Sequence, residues 1–170
     1  MFKYKKSLRG NSVPVLWRVI IDNSDTIQLG DMVKTYNAGN AEVATAARPI
    51  GGVVHDVMTK DCVRPTPDSG TQDTFTVASD NETVAQIAAL IDFDTDSIYS
   101  GDVDGTLGTT NSSDKIGASF DITDENSVAE TSALRNAQGQ LFGWGADPDD
   151  TTRVLVSIME SETRAGGVYS

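Results

Sequence analysis

Residues 80–93, DNETVAQIAALIDF, decide between two kinds of protein. Val84, Ile87, Ala88 and Ile91 stand at i, i+3, i+4 and i+7 behind a capping candidate at Asp80 or Asn81, which is the period of a helix. The sequel, DTDSIYSGDVDGT at 94–106, reads instead as the return strand of a hairpin, which would make the preceding residues a strand. Periodicity over so short a segment leaves both readings open.

Outward from this point the rhythm is that of strands. Short apolar runs rich in Val, Ile and Thr recur between clusters of Gly, Asp, Asn and Ser. Residues 12–21, SVPVLWRVII, form one candidate, with Pro14 at an early or edge position. Residues 32–36 and 41–46 flank the loop NAGN and make a hairpin. In 48–59, Gly51 and Gly52 mark a bulge or a close backbone approach ahead of the strand VVHDV. Residues 64–70, RPTPDSG, read as a rigid loop, and Phe75 and Val77 alternate with polar residues in 73–79. Three further candidates lie at 115–122, 138–145 and 151–162, the last with Val154, Val156 and Ile158 on one face. A second short helix or turn is expected at 124–135. The expected fold is all-β, a sandwich or barrel with long hairpins and at most one or two short helices.

A chain of 170 residues is the length of one domain and buries enough surface to fold without staples. Cys62 is the single cysteine, which excludes an intramolecular disulfide framework and suits a small buried or half-buried side chain. No apolar run is long enough to cross a membrane, since VPVLWRVII is short and carries Arg18. The chain therefore reads as soluble and non-secreted.

The formal charge of −12 is unevenly placed. Lys3, Lys5, Lys6, Arg9 and Arg18 precede the first acidic residue, and the remainder is strongly acidic. An acidic body repels phosphate backbones, which argues against direct nucleic-acid binding. Residues 1–11 read as a solvated basic arm and 12–170 as a single β-rich domain, with Lys3, Lys5, Lys6 and Arg9 as the candidate partner-binding residues.

Catalytic signatures are missing. His55 is the lone histidine, and strand alternation puts it on one face with Val53 and Val57, opposite Val54, Asp56 and Met58. No nucleophile elbow accompanies it, and the Gly-rich stretches match neither a phosphate-cradling loop nor a dinucleotide fingerprint. Trp17 and Trp144, candidates for a sugar platform, are better placed in a strand core and a Gly-flanked tight turn. Paired carboxylates abound without a positive acid/base signal. An EF-hand loop from Asp92 would meet Ser97 at its sixth position and Val103 at its twelfth, and one from Asp102 would meet Ser113 at its twelfth. Asp92, Asp94, Asp96, Asp102 and Asp104 thus read as solvated aspartates flanking a hairpin, with a calcium site of another type as the alternative. No cofactor and no enzymatic activity are expected.

Three stretches carry a resemblance: LGDMV…NAGNAEVATAARPIGGVVHD, SGDVDGTLGTTNSSDKIGASFDI and GQLFGWGADPDDTTRVLVSIMESE. Together they resemble the capsid decoration (cement) proteins, and related head proteins, of tailed bacteriophages. Gly30, Asp31, Ile50 and residues 51–54 stand at matching turn and strand places, as do Asp104, Gly105, Thr109, Thr110, Asp114, Lys115 and Gly117, and the closing pair at 140–162. The chain departs from the usual short decoration proteins in its acidic middle, 92–114. The resemblance implies a strand rather than a helix at 83–93. It also implies a non-enzymatic protein made in the host cytoplasm that binds the major capsid protein on the virion surface as a symmetric oligomer, a trimer by preference. Alternatives are another virion component, such as a tail-tube, connector or fibre-associated protein, and a calcium-dependent adhesion or carbohydrate-binding module.

Overall fold

The computed structural model describes residues 1–8, 13–35, 40–44, 51–71, 73–103, 116–124, 127–130 and 141–158. They form thirteen strands: β1 Lys3–Ser7, β2 Leu16–Ile20, β3 Thr26–Gln28, β4 Met32–Thr35, β5 Ala41–Val43, β6 Gly52–Met58, β7 Thr74–Thr76, β8 Ala88–Asp92, β9 Ser97–Val103, β10 Ile116–Asp124, β11 Ser127–Glu130, β12 Leu141–Asp147 and β13 Asp150–Ile158. The protein is all-β, and among the described residues there is no helix.

The largest sheet closes on itself. β9 pairs β13, β13 pairs β12, β12 pairs β10, β10 pairs β11, and β11 returns to β9 in the one parallel ladder of the ring. Alternation in β13 directs Val154, Val156 and Ile158 inward, where they meet Tyr99, Phe120, Val128 and Leu141 from the other four strands. The second sheet runs β2-β8-β6-β4-β5, and a parallel bridge from Ile21 to Ala41 brings its two ends together at one point. Its core joins Ile21, Val33, Val54, Val57 and Ile91 with Ile27 and Phe75 from the small β3–β7 ribbon. Met32 and Val53 pack into the core of the first ring, so β4 and β6 serve both.

Residues 80–93 form no helix: the strand expected at 83–93 is present at Ala88–Asp92 as β8, but it is not the arm of a hairpin with β9. Asn81 is buried, with its amide group donating to the carbonyls of Ile21 at 2.7 Å and Ile87 at 3.0 Å while its carbonyl accepts from the Ile87 N–H at 2.9 Å. Those bonds hold 81–85 as turns, and Gln86 at φ 51° stops any helical continuation before β8 begins. β8 lies between β2 and β6, so neither of its edges is open to β9. The two strands consequently belong to different sheets, and Asp92 to Asp96 make the corner between them. Asp94 N–H donates to Asp92 and Asp96 N–H to Asp94, both at 2.9 Å. The short helix or turn expected at 124–135 is, at Ser127–Glu130, the strand β11, because β10 and β9 supply ladders on either side of it. The remainder of that segment after Asp124 lies outside the described residues.

The start of the chain differs from a solvated arm. β1 adds to β9, the Phe2 N–H donates to Gly30 O at 3.0 Å, and the Leu8 N–H donates to Asp96 O at 2.8 Å. Phe2 is only 3% exposed. Gly30 (φ 84°) and Gly101 make its berth: a Cβ on Gly101 would sit 2.5 Å from the Phe2 ring, and one on Gly30 would be 2.5 Å from the Phe2 carbonyl oxygen. Residues 1–8 are therefore part of the β body. The period-two signal of Phe2 and Tyr4 was hidden by the lysines that alternate with them.

Gly52 also permits a close approach, since any Cβ there would collide with the Asp92 carbonyl oxygen. The hairpin expected across the NAGN loop forms as β4 and β5.

Candidate functional site

A bulge in β6 builds a polar cluster between the two sheets. The register with β8 steps from Val54↔Ile91 to Asp56↔Leu90, leaving His55 as the extra residue. Strict alternation is lost there: Val54 and Val57 share the second core while Val53 enters the first, which corrects the face assignment read from sequence. His55 is turned toward Tyr4, Tyr99 and Asp92. Its ring centroid lies 5.8 Å from that of Tyr4 and 6.4 Å from that of Tyr99, and its Nε2 is 3.8 Å from Asp92 Oδ2.

Asp92, far from a solvated hairpin flank, is 0% exposed. Its Oδ2 accepts the Tyr99 hydroxyl at 2.6 Å and its Oδ1 the Asp94 amide. Burial, and then the Asp92 carboxylate, push the Tyr99 phenol well above its ordinary range, so it stays a hydrogen-bond donor. The same two causes, in the same order, raise Tyr4. Burial lowers His55, and the opposing pull of Asp92 does not make up the difference. The cluster is a bracket: the carboxylate of a second-sheet strand holds a tyrosine of the ring, with a neutral imidazole alongside.

The sign of the His55 shift gives a testable pH dependence. Protonation costs more in the fold than in the unfolded chain, where histidine titrates near 6.5, so this contribution is complete above about pH 6.5 and is lost as the pH falls below it. His55→Gln should flatten the decline of melting temperature between about pH 6.5 and 5.5 relative to the parent. Parallel declines in the two proteins would show that His55 carries none of it.

A second polar link closes the other end of β9. Arg153 donates through Nε to Ser100 Oγ at 2.8 Å, through Nη2 to the carbonyls of Ser100 and Met1, and through Nη1 to Asp102. Burial would raise Asp102, but the Met1 amino group at 2.6 Å and Arg153 outweigh it and hold the carboxyl below its usual range. Asp102 is thereby separated in role from Asp92, Asp94 and Asp96, and Asp104 lies outside the described residues. Among the described residues no group of three His, Cys, Asp or Glu side chains converges as metal ligands.

The candidate partner-binding lysines divide. Lys5 is the extra residue of a bulge in β1, and its Nζ sits 3.0 Å from Asp147 and 2.9 Å from Asp149, whose hydrogen bonds raise its pKa. Lys3 and Lys6 remain exposed on the outer strand of the sheet, and Arg9 lies outside the described residues. Cys62 is exposed at φ 60° in the turn after β6, not buried. Trp144 belongs to β12 rather than to a turn, stacks edge-to-face on Phe142 and donates to Ser157 Oγ at 2.9 Å.

Sequence reasoning missed an apolar edge. Trp17, expected in a strand core, is 61% exposed, and Val15 and Val13 before it are 70% and 82% exposed. β2 ends the order of the second sheet, and just beyond its last residue Ile21 forms a parallel bridge to Ala41.

Comparisons with protein-family models, with characterised proteins and with solved structures return no match to this chain. Fold and surface define the chain as an all-β protein whose buried polar groups link its sheets. Among the described residues β1 and β2 each stand at the end of a sheet, β1 carrying exposed lysines and β2 exposed apolar side chains.

Proposed function

We propose that this chain is a non-enzymatic virion structural protein that decorates and stabilises a bacteriophage capsid by binding the major capsid protein. The observation that carries the reading is the β1 edge. A body of charge −12 presents Lys3 and Lys6, exposed, on a terminal strand that is itself locked into the core through Phe2. Lysines on an open edge discourage indiscriminate strand addition and leave a rigid basic strip for an acidic patch on a shell lattice. Weak contacts of this kind gain from repetition over a symmetric array. The turn and strand resemblance at Gly30, Asp31 and residues 51–54 supports the same reading.

Because residues 1–8 are built into the sheet, charge reversal rather than truncation tests the idea. Lys3→Glu/Lys6→Glu should fold with an unchanged melting temperature and bind undecorated capsids of the same virus at least tenfold more weakly in cosedimentation. The gap should be wider at about 50 mM salt than at about 300 mM. Capsids that fail to retain the parent protein at either ionic strength would overturn the proposal.

A further inference from the structure

We propose that the N-terminal half of β2 is a self-association edge, on which a second copy of this chain pairs β2 against β2 in antiparallel fashion about a two-fold axis. The inference does not depend on the virion reading. Trp17 and Val19 share a face because they are two apart in an unbulged strand, and Val19 packs against the second core. The apolar face of the strand thus runs past the end of its own core and is exposed from Trp17 back through Val15 to Val13. An open, flat, apolar edge is the feature soluble proteins block with charge, proline or bulges. β1 has its lysines and its bulge, whereas β2 has no acid and no bulge and its one charge, Arg18, is turned to Gln86 of its own chain. Pro14 stands with Val13 and Val15 in the lead-in to the strand, so only Leu16–Ile20 offers the ladder and the two valines add apolar side chains beside it.

Two observations select a second copy as the occupant. The first is charge. Residues 12–21 hold no acidic side chain, and the one cation, Arg18, donates to the Gln86 carbonyl of its own chain at 2.9 Å. This strip is therefore a place where two bodies of charge −12 can meet without opposed carboxylates. The second is area. Val13, Val15, Leu16 and Trp17 expose on the order of 400 Å² per copy, so two such strips with their flanking backbone reach about 1,000 Å², the size a specific interface requires. A two-fold axis makes the patch complementary to itself, with Trp17 as the anchor.

Sedimentation velocity and light scattering of the purified chain test this without capsids. The parent should show twice the 18.1 kDa chain mass at about 100 μM, and the association should tighten as salt rises from about 50 to 500 mM, because screening relieves the repulsion between acidic bodies. Trp17→Glu and Val15→Lys should each weaken dimerisation at least tenfold while keeping the parent's circular dichroism. Val63→Glu, a change at an equally exposed apolar residue elsewhere, should leave it intact. A monomeric or trimeric parent, association that weakens with salt, or equal loss in the Val63 variant would overturn the proposal.

Discussion

Phe2→Ala should lower the melting temperature by about 10 °C, because emptying a well-packed aromatic site costs about 3–5 kcal/mol and a chain of this length loses roughly 2–4 °C per kcal/mol. The site has little means of collapsing. The Phe2 backbone is pinned to Gly30, the ring rests against Gly101 without an intervening side chain, and Tyr99, Val154 and Val156 lie in the same core. Removing residues 1–8 should be worse, since the β1 ladder and the Lys5 pairs with Asp147 and Asp149 go as well. Thermal denaturation followed by circular dichroism reads both effects. A shift under about 2 °C for Phe2→Ala would mean the chain start contributes nothing to the core.

The second large effect belongs to the bracket between the sheets. Tyr99→Phe should cost about 2 kcal/mol, the range for a buried hydrogen bond to a charged acceptor, and Asp92→Ala about 3 kcal/mol because it strands the Tyr99 hydroxyl and the Asp94 amide together. In the Asp92→Ala background, however, Tyr99→Phe removes a hydroxyl that already lacks its partner. Its added cost should be close to zero, giving a coupling of about 2 kcal/mol in a double-mutant cycle measured by chemical denaturation. Additive losses would show that the 2.6 Å contact contributes no net stability. The corner residues Asp94 and Asp96, half-buried with less at stake, should be far more tolerant of substitution to Asn than Asp92.

The all-β class, the strand alternation at Val154, Val156 and Ile158, the hairpin across 37–40 and the close approach at Gly52 were legible in the sequence because each depends on neighbours within a few residues. What went unread depends on partners far along the chain. Asn81 looked like a helix cap until its amide group was seen holding Ile21, sixty residues away, and Ser127–Glu130 became a strand because two ladders awaited it. Asp92 and Asp102 belong to one acidic run, yet only tertiary structure assigns the first to Tyr99 in a closed core and the second to Arg153. Lysines masked the alternation of Phe2 and Tyr4, and the run at 13–21, apolar but for Arg18, gave no sign that its core-facing half ends at Val19. Local periodicity reports which residues can be buried together; which of them are buried is decided by how far the neighbouring sheet extends, and at Trp17 it stops.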